Sequence, residues 1–281
     1  MSEFHVEVSH TAQSAAQLLA LSSGLSIQQI KQAMKKGAVW VTSTQGSSKR
    51  LRRADKTLEI GQSLHLYHDD KVLSESVEPA VLMHDEEDYS VWYKPYGMLS
   101  QGSKWGDHCT INRWIELNHT PQRPAFIVNR LDRAAQGLML IAHTKAAAKR
   151  LSGLFEERKI YKVYTAKVAG HFPNDLVIDQ PINGKQAHSY ARLLSYDSKT
   201  KTSLVSIDIA TGRKHQIRKH LSGAGFPIIG DRLYGMEDHQ EIQNLCLVST
   251  HLAFRCPLNG ADRNYRLSGD YLPKHNTSAN L

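Results

Sequence analysis

The stretch "VNRLDRAAQGLMLIA", Val128 to Ala142, sets four polar residues between two apolar segments. Ala125 to Val128 leads in and Gly137 to Ala142 leads out, each short and β-prone, so the pattern predicts strand, polar loop, strand. The loop carries Asn129, Arg130, Asp132 and Arg133, with Leu131 inside it. A carboxylate between two guanidiniums, held by segments that look buried, is either a structural ion pair or a reactive acid kept ionised. The stretch by itself leaves both readings open.

Working outward, "YSVWYKP" (Tyr89 to Pro95) predicts a strand ending in a turn, and Thr144 can cap a helix through "KAAAKRLSGLFEERK". "IYKVYTAKVAG" alternates as a strand, "HSYARLLSY" and "TSLVSIDIAT" predict an antiparallel pair joined by "DSKTK", "GRKHQIRKHL" a short helix and "CLVSTHLAFRCP" a late strand. Strands outnumber helices and no strict βαβ repeat is present. The expected fold class is α+β with a mixed, largely antiparallel sheet over residues 80–275.

The polar run "DDKVLSESVEP", residues 69–79, reads as a linker from a small N-terminal α/β unit, residues 1–68. In that unit "AAQLLALSSGL" reads as a helix and turn. Ser26 and Gln29 can form a capping box, Ile27, Ile30 and Met34 recur at helical spacing, and Gly37 supplies a left-handed end. "AVWV" and "QSLHLYH" follow as strands around a basic loop, in the order helix, helix, strand, basic loop, strand. From Lys31 to Lys56 the unit carries Lys31, Lys35, Lys36, Lys49, Arg50, Arg52, Arg53 and Lys56 against Asp55 alone, a net +7 of the chain's +8. Such a run is often only a solvated face. Beside a glycine-ended basic helix it fits a surface that tracks a phosphate backbone.

The whole-chain composition agrees with a soluble protein of one large or two smaller domains: 281 residues, 41% hydrophobic and 22% charged. Cys109, Cys246 and Cys256 are scattered, with no zinc spacing, which suits a reducing cytoplasm. The N-terminus is polar and acidic, unlike a signal peptide, and no apolar run approaches the roughly 18 residues of a membrane span, so no membrane association is expected. Neither a P-loop nor a GxGxxG motif is present. His215 and His220 are five apart, about 140° around a helix, so they do not form a shared metal face, and no metal site is expected.

Three stretches, "NRLDRAAQGLMLIA" (129–142), "KVYTAKVAG" (162–170) and "TGRKHQIRKHLSGAGFPIIGDRLYG" (211–235), with "VWYKPYGMLSQG" (91–102) before them, resemble the RluA-type RNA pseudouridine synthases in order and spacing. The third is the most specific. "GLSIQQIKQAMKKGAVWV" and "GQSLHLY" resemble the S4-like RNA-binding domain over residues 12–68, although Val41-Thr42-Ser43 stands where that family has Val-Asn-Gly. The two resemblances support each other, because these synthases often carry such a domain in front.

The first resemblance implies an isomerase that detaches a uracil, turns it and rejoins it through carbon, with no metal or organic cofactor. It places the reactive carboxylate on Asp132, the ring against the target base on Tyr164 and the cationic partner of the acid on Arg218. Attack on the ribose anomeric carbon, attack on the uracil ring and removal of a ribose proton all stay open for Asp132. Arg130 matches an arginine that fills the space of a flipped base. Arg133, Arg213 and Lys214, with the basic residues of the N-terminal unit, are expected to contact RNA phosphates. Asn129 replaces the usual His, Ala135-Gln136-Gly137 the usual Thr-Ser-Gly, and Tyr93-Lys94-Pro95-Tyr96-Gly97 the usual NKPxG. Lys94, Pro95 and Gly97 are expected to shape a turn. The expectation is a monomeric cytoplasmic enzyme acting on rRNA in preference to tRNA. The competing class is an inactive RNA-binding or ribosome-assembly protein, and the intact trio Asp132, Tyr164 and Arg218 weighs against it.

Overall fold

The computed structural model of the chain describes residues 1–9, 14–56, 58–235 and 244–274. The expected start of the S4-like stretch at residue 12 and the expected domain end at residue 275 lie outside the described residues. The protein is α+β, and its backbone divides into two units. The first holds Met1–Val77 and Gln101–Leu117, the second Glu78–Ser100 and Asn118–Leu281. Among the described residues no helix is long and apolar enough to cross a membrane.

In the first unit, β1 (Ser2–Glu7), β2 (Val39–Thr42), β3 (Ser48–Arg50) and β4 (Ser63–His68) form an antiparallel sheet in the order β1-β4-β2-β3. Helices α1 (Ala15–Ser23) and α2 (Ile27–Lys35) supply its apolar cover. Both begin with full capping boxes, Ser14 with Gln17 and Ser26 with Gln29, which satisfy backbone donors that would otherwise be orphaned. Leu19, Ile30 and Met34 from the helices meet Val39, Val41, Leu64 and Leu66 from the strands in one core. Leu64 and Leu66 point inward and Ser63, His65 and Tyr67 do not, the period of two of a half-buried strand. Helix α3 (Asp70–Ser74), capped by Asp69, lies within this unit.

Residues 101–117 also group with this unit. The Asp107 amide donates to the Lys36 carbonyl at 3.0 Å, and the Trp40 indole donates to the Lys104 carbonyl at 3.1 Å. Asp107 receives Arg50 Nε at 3.2 Å and Arg52 at 2.5 Å, while Arg50 also donates to the carbonyls of Gly37 and Ser103. Gly37 is left-handed at φ +81°, and a Cβ there would run into the Asp107 carboxylate, so only glycine fits the turn and the approach.

In the second unit ten strands form one mixed sheet. The main path is β10 (Asp175–Ile178), β11 (Ser189–Asp197), β12 (Thr202–Ile209), β9 (Tyr161–Ala169), β13 (Leu247–Arg255), β8 (Gln136–Ala142), β6 (Tyr89–Lys94) and β5 (Val81–Asp85). Strand β14 (Asp262–Arg266) pairs with β13, and β7 (Phe126–Ile127) with β8. Helix α4 (Ile111–Asn118) belongs to the first unit up to Leu117, whereas α5 (Lys145–Glu156), capped by Thr144, packs Leu151 and Leu154 into the core of the second. Helix α6 (Gln216–Gly223) follows β12.

Among the described residues one strand pair is parallel, β13 with β8, in the register Val248 to Gln136 and Ser249 to Gly137. Gly137 sits at φ +113°, and a Cβ there would overlap the Ser249 backbone, so this glycine lets the two strands meet.

Replacing Asp107 by alanine strands two partly buried guanidiniums and is expected to cost about 2–4 kcal/mol in urea denaturation. Replacing Arg53, whose pair with Asp55 is on the surface, is expected to leave the midpoint unchanged. Deleting residues 1–77 removes the partners of 101–117, so the remainder should melt lower and show red-shifted emission from Trp105. An unchanged midpoint and spectrum would return 101–117 to the second unit.

Candidate active site

Asp132 lies in the loop between β7 and β8, fixed by contacts on both sides. Asn129 Oδ1 accepts from the Leu140 amide at 2.9 Å, so a side chain extends the ladder past the end of β7. Ser100 Oγ donates to the Leu131 carbonyl at 2.7 Å and accepts from its amide at 3.0 Å. The Ala135 amide closes a turn onto the Asp132 carbonyl at 3.1 Å. Gln136 accepts from the Tyr93 hydroxyl at 2.8 Å. "AAQG" thus has local tasks: a turn, an anchor and a close strand approach.

Beneath the loop, Lys94 is fully buried. Its ammonium donates to the carbonyls of Met98 at 2.8 Å, Pro95 at 3.1 Å and Arg133 at 3.4 Å. Burial pushes its pKa down to about 7, with the charge of Asp132 opposing the fall. The expectation of a turn at Lys94-Pro95 and Gly97 understated this residue, because its ammonium ties the turn to the loop that carries Asp132.

Helix α6 brings the partners. Gln216 accepts from Thr211 Oγ1 at 2.7 Å and the Arg213 amide at 3.1 Å, and donates to the His188 carbonyl at 2.9 Å, which locks the first turn of α6 against the start of β11. Arg218, two residues on, is buried. Its Nε and one terminal nitrogen bind Asp231 at 2.8 and 2.6 Å, and its other terminal nitrogen faces Asp132 Oδ2 at 3.7 Å. Arg218 is therefore near the acid as expected, yet its hydrogen-bonded partner is Asp231. Burial works against both charges of that pair, but their mutual hydrogen bonds win, raising the Arg218 pKa and lowering that of Asp231. The amides of Leu233 and Tyr234 also donate to Asp231.

Tyr164 on β9 stands between Ile207 and Ser249 of the neighbouring strands and lines a cavity of about 100 Å³ with Asp132 and Arg218. Ile209, Ile217 and Leu247 give that cavity apolar walls. Burial, with the Asp132 charge adding to it, pushes the Tyr164 phenol up to about 12, so it stays protonated at neutral pH. A second cavity of about 270 Å³ opens on Asp132 between Arg133, Arg232 and Tyr96. The Asp132 side chain is 31% exposed, against 6% for Arg218 and 1% for Asp231. The acid is thus the accessible carboxylate of the cluster.

Asp132, Tyr164 and Arg218 come together, as the resemblance implied. Arg130 and Arg213 line the first cavity, Arg133 the second, and Lys214 is exposed beside them. Arg213 also donates to the Gln186 carbonyl. In the first unit Lys31, Lys35, Lys49 and Arg53 are exposed, whereas Arg50 and Arg52 hold Asp107 and Lys36 donates to the Leu73 carbonyl. Sequence reasoning did not single out Asp231, Tyr234 or His215 as site residues, although all three lie inside the longest motif. His220 turns away to Ser189 and the Gln180 carbonyl while His215 faces Asp132, in keeping with their spacing.

Residues 88–223 match the family described as RNA pseudouridylate synthase. An "Uncharacterized RNA pseudouridine synthase" of Aquifex aeolicus is 30% identical over 82% of each chain. The "Dual-specificity RNA pseudouridine synthase RluA" of Escherichia coli is 29% identical over 68% of this chain and 94% of its own. The solved human "RNA Pseudouridylate Synthase Domain Containing 1" shares the fold, with a TM-score of 0.60 at 21% identity, covering 71% of this chain and 87% of that one. The arrangement around Asp132 thus sits in a chain that belongs to the RluA-type RNA pseudouridine synthases, isomerases that convert uridine to pseudouridine in RNA.

Proposed function

We propose that this synthase acts on a uridine of ribosomal RNA, with Asp132 as the reactive carboxylate, Tyr164 against the flipped uracil and Arg218 as the fixed cation of the site. The single observation that carries the reading is the division of labour between two carboxylates. Asp231 takes the hydrogen bonds of Arg218 in the interior, which leaves Asp132 beside a cation and open to the cavity.

A uridine in a stem or loop must leave its stack to reach that acid, at a cost of a few kcal/mol. The apolar walls and the Tyr164 ring suit a flat, neutral base. Because the Tyr164 phenol holds its proton to about 12, it serves as a surface and a donor, not as a resting base. Arg130 at the rim fills the vacated space in the RNA. Arg133, Arg213 and Lys214 bind phosphates nearby, and the exposed Lys31, Lys35, Lys49 and Arg53 add a second basic surface. The S4-like resemblance of the first unit supports an rRNA target.

The test is pseudouridine mapping of rRNA and tRNA from cells lacking the gene, complemented with wild type or Asp132→Asn. One rRNA site should vanish, return with wild type and stay absent with Asp132→Asn. Full restoration by Asp132→Asn removes the acid from the chemistry, and loss confined to tRNA removes the rRNA assignment.

Arg218→Ala leaves Asp231 as a buried, unpaired carboxylate and is expected to lower stability by about 3–5 kcal/mol in urea denaturation. Arg218→Lys keeps the charge without the fork and should cost less stability while slowing turnover at least ~10-fold. Wild-type turnover in a folded Arg218→Lys protein would show that the guanidinium geometry is immaterial.

A further inference from the structure

Arg218 faces one oxygen of Asp132. The other oxygen, Oδ1, faces His215 Nε2 at 3.7 Å. His215 is the N-cap residue of α6 and sits at φ 56°, ψ 28°, a left-handed conformation that is uncommon away from glycine. Its side chain makes no capping bond, so capping does not explain the conformation. The backbone turns the ring toward Asp132, and local strain of this kind persists where the surroundings impose it.

The ring is held from behind. His215 Nδ1 lies 3.0 Å from the Tyr234 hydroxyl. Tyr234 is placed in turn by its amide bond to Asp231 and by the Arg218 guanidinium 5.2 Å above its ring. When the phenol donates to Nδ1, the proton of a neutral imidazole sits on Nε2 and points at Asp132.

We propose that His215 is a positioning residue for the isomerisation: its Nε2–H, fixed by Tyr234, sets the plane of the Asp132 carboxylate together with Arg218. The terminal torsion of an aspartate is broad and roughly two-fold, so one distant cation does not fix it. Two groups at the start of α6, each 3.7 Å from a different oxygen, favour one plane over the other. The proposal rests on Asp132 being the reactive acid. The groups facing His215 are Asp132, Arg218, Lys214, Asp231 and Tyr234. Protonation of the ring leaves the Nε2–H in place, so the positioning role does not depend on the charge of His215.

Two measurements on the full-length protein test this. Imidazole nitrogen NMR at neutral pH should show His215 as the Nε2–H tautomer, shifting toward a mixture in Tyr234→Phe; an Nδ1–H tautomer in the wild type overturns the proposal without touching the Asp132 assignment. Single-turnover pseudouridine formation on total RNA from cells lacking the gene is the second. His215→Ala should be ~10- to 100-fold slower with RNA binding within ~2-fold of wild type, the size expected of a misplaced reacting group. His215→Gln, which keeps a donor, should recover to within ~5-fold and retain the wild-type pH profile. Tyr234→Phe combined with His215→Ala should be no slower than His215→Ala alone. A Gln variant as slow as Ala, a pH limb lost in the Gln variant, or additive effects of the two changes would overturn the assignment. An Asp132→Asn protein as fast as wild type would instead sink the reading of the acid.

Discussion

The site depends on the bidentate pair between Arg218 and Asp231, buried and supported by two backbone amides. A free guanidinium beside a lone carboxylate would close onto it as a fork, because that is the strongest geometry open to both. Such a fork would cover the lone pairs of Asp132. By giving two nitrogens of Arg218 to Asp231, the fold leaves a single nitrogen facing Asp132 at 3.7 Å. The acid keeps a cation near it and keeps its oxygens available, and the interior carries a paired charge in place of a bare one.

The scaffold around that pair explains features that look arbitrary along the chain. Gly137 lets β8 meet β13 in parallel directly after the loop of Asp132, which puts Ser249 and Tyr164 on strands adjoining the acid. Lys94 binds the carbonyls of two segments, so the loop cannot shift without breaking buried hydrogen bonds. Gln216 does the same for the start of α6. Each anchor is polar and sits beneath a residue expected to contact substrate, an arrangement that holds reacting groups on rigid elements.

Much of this was legible in the sequence. The strand pair around "NRLDR", the antiparallel hairpin at "DSKTK", the Thr144 cap and the Ser26 capping box are local patterns, and the structure contains each of them. Strands β1, β3, β5, β10 and β14 are not marked in the sequence, β3 falling inside the expected basic loop, and their exposure explains it. They lie at sheet margins and bury few residues, so their apolar signal is short; in β1 it amounts to Phe4 and Val6 alternating with Glu3, His5 and Glu7. The trio Asp132, Tyr164 and Arg218 was legible only through the family motifs, because those residues converge through tertiary structure. Asp231 was hidden for a related reason: an Asp after Gly reads as a turn residue until its partner is known.

The boundary between the units shows the same limit more sharply. A change of composition marks residues 69–79, yet the chain returns to the first unit at 101–117, and Arg50 and Arg52 spend their charge on Asp107 there. Counting cations along a segment therefore overstates the basic surface it offers. Of the RNA-binding residues expected in that unit, Arg50, Arg52 and Lys36 make intramolecular bonds that a phosphate would have to displace. Lys31, Lys35, Lys49 and Arg53, the last paired with Asp55 at the surface, remain exposed, and any electrostatic pull of this unit on a polyanion falls chiefly to them. Charge that is spent inside the unit and charge left at its surface are thus different residues within one run, and only the fold separates them.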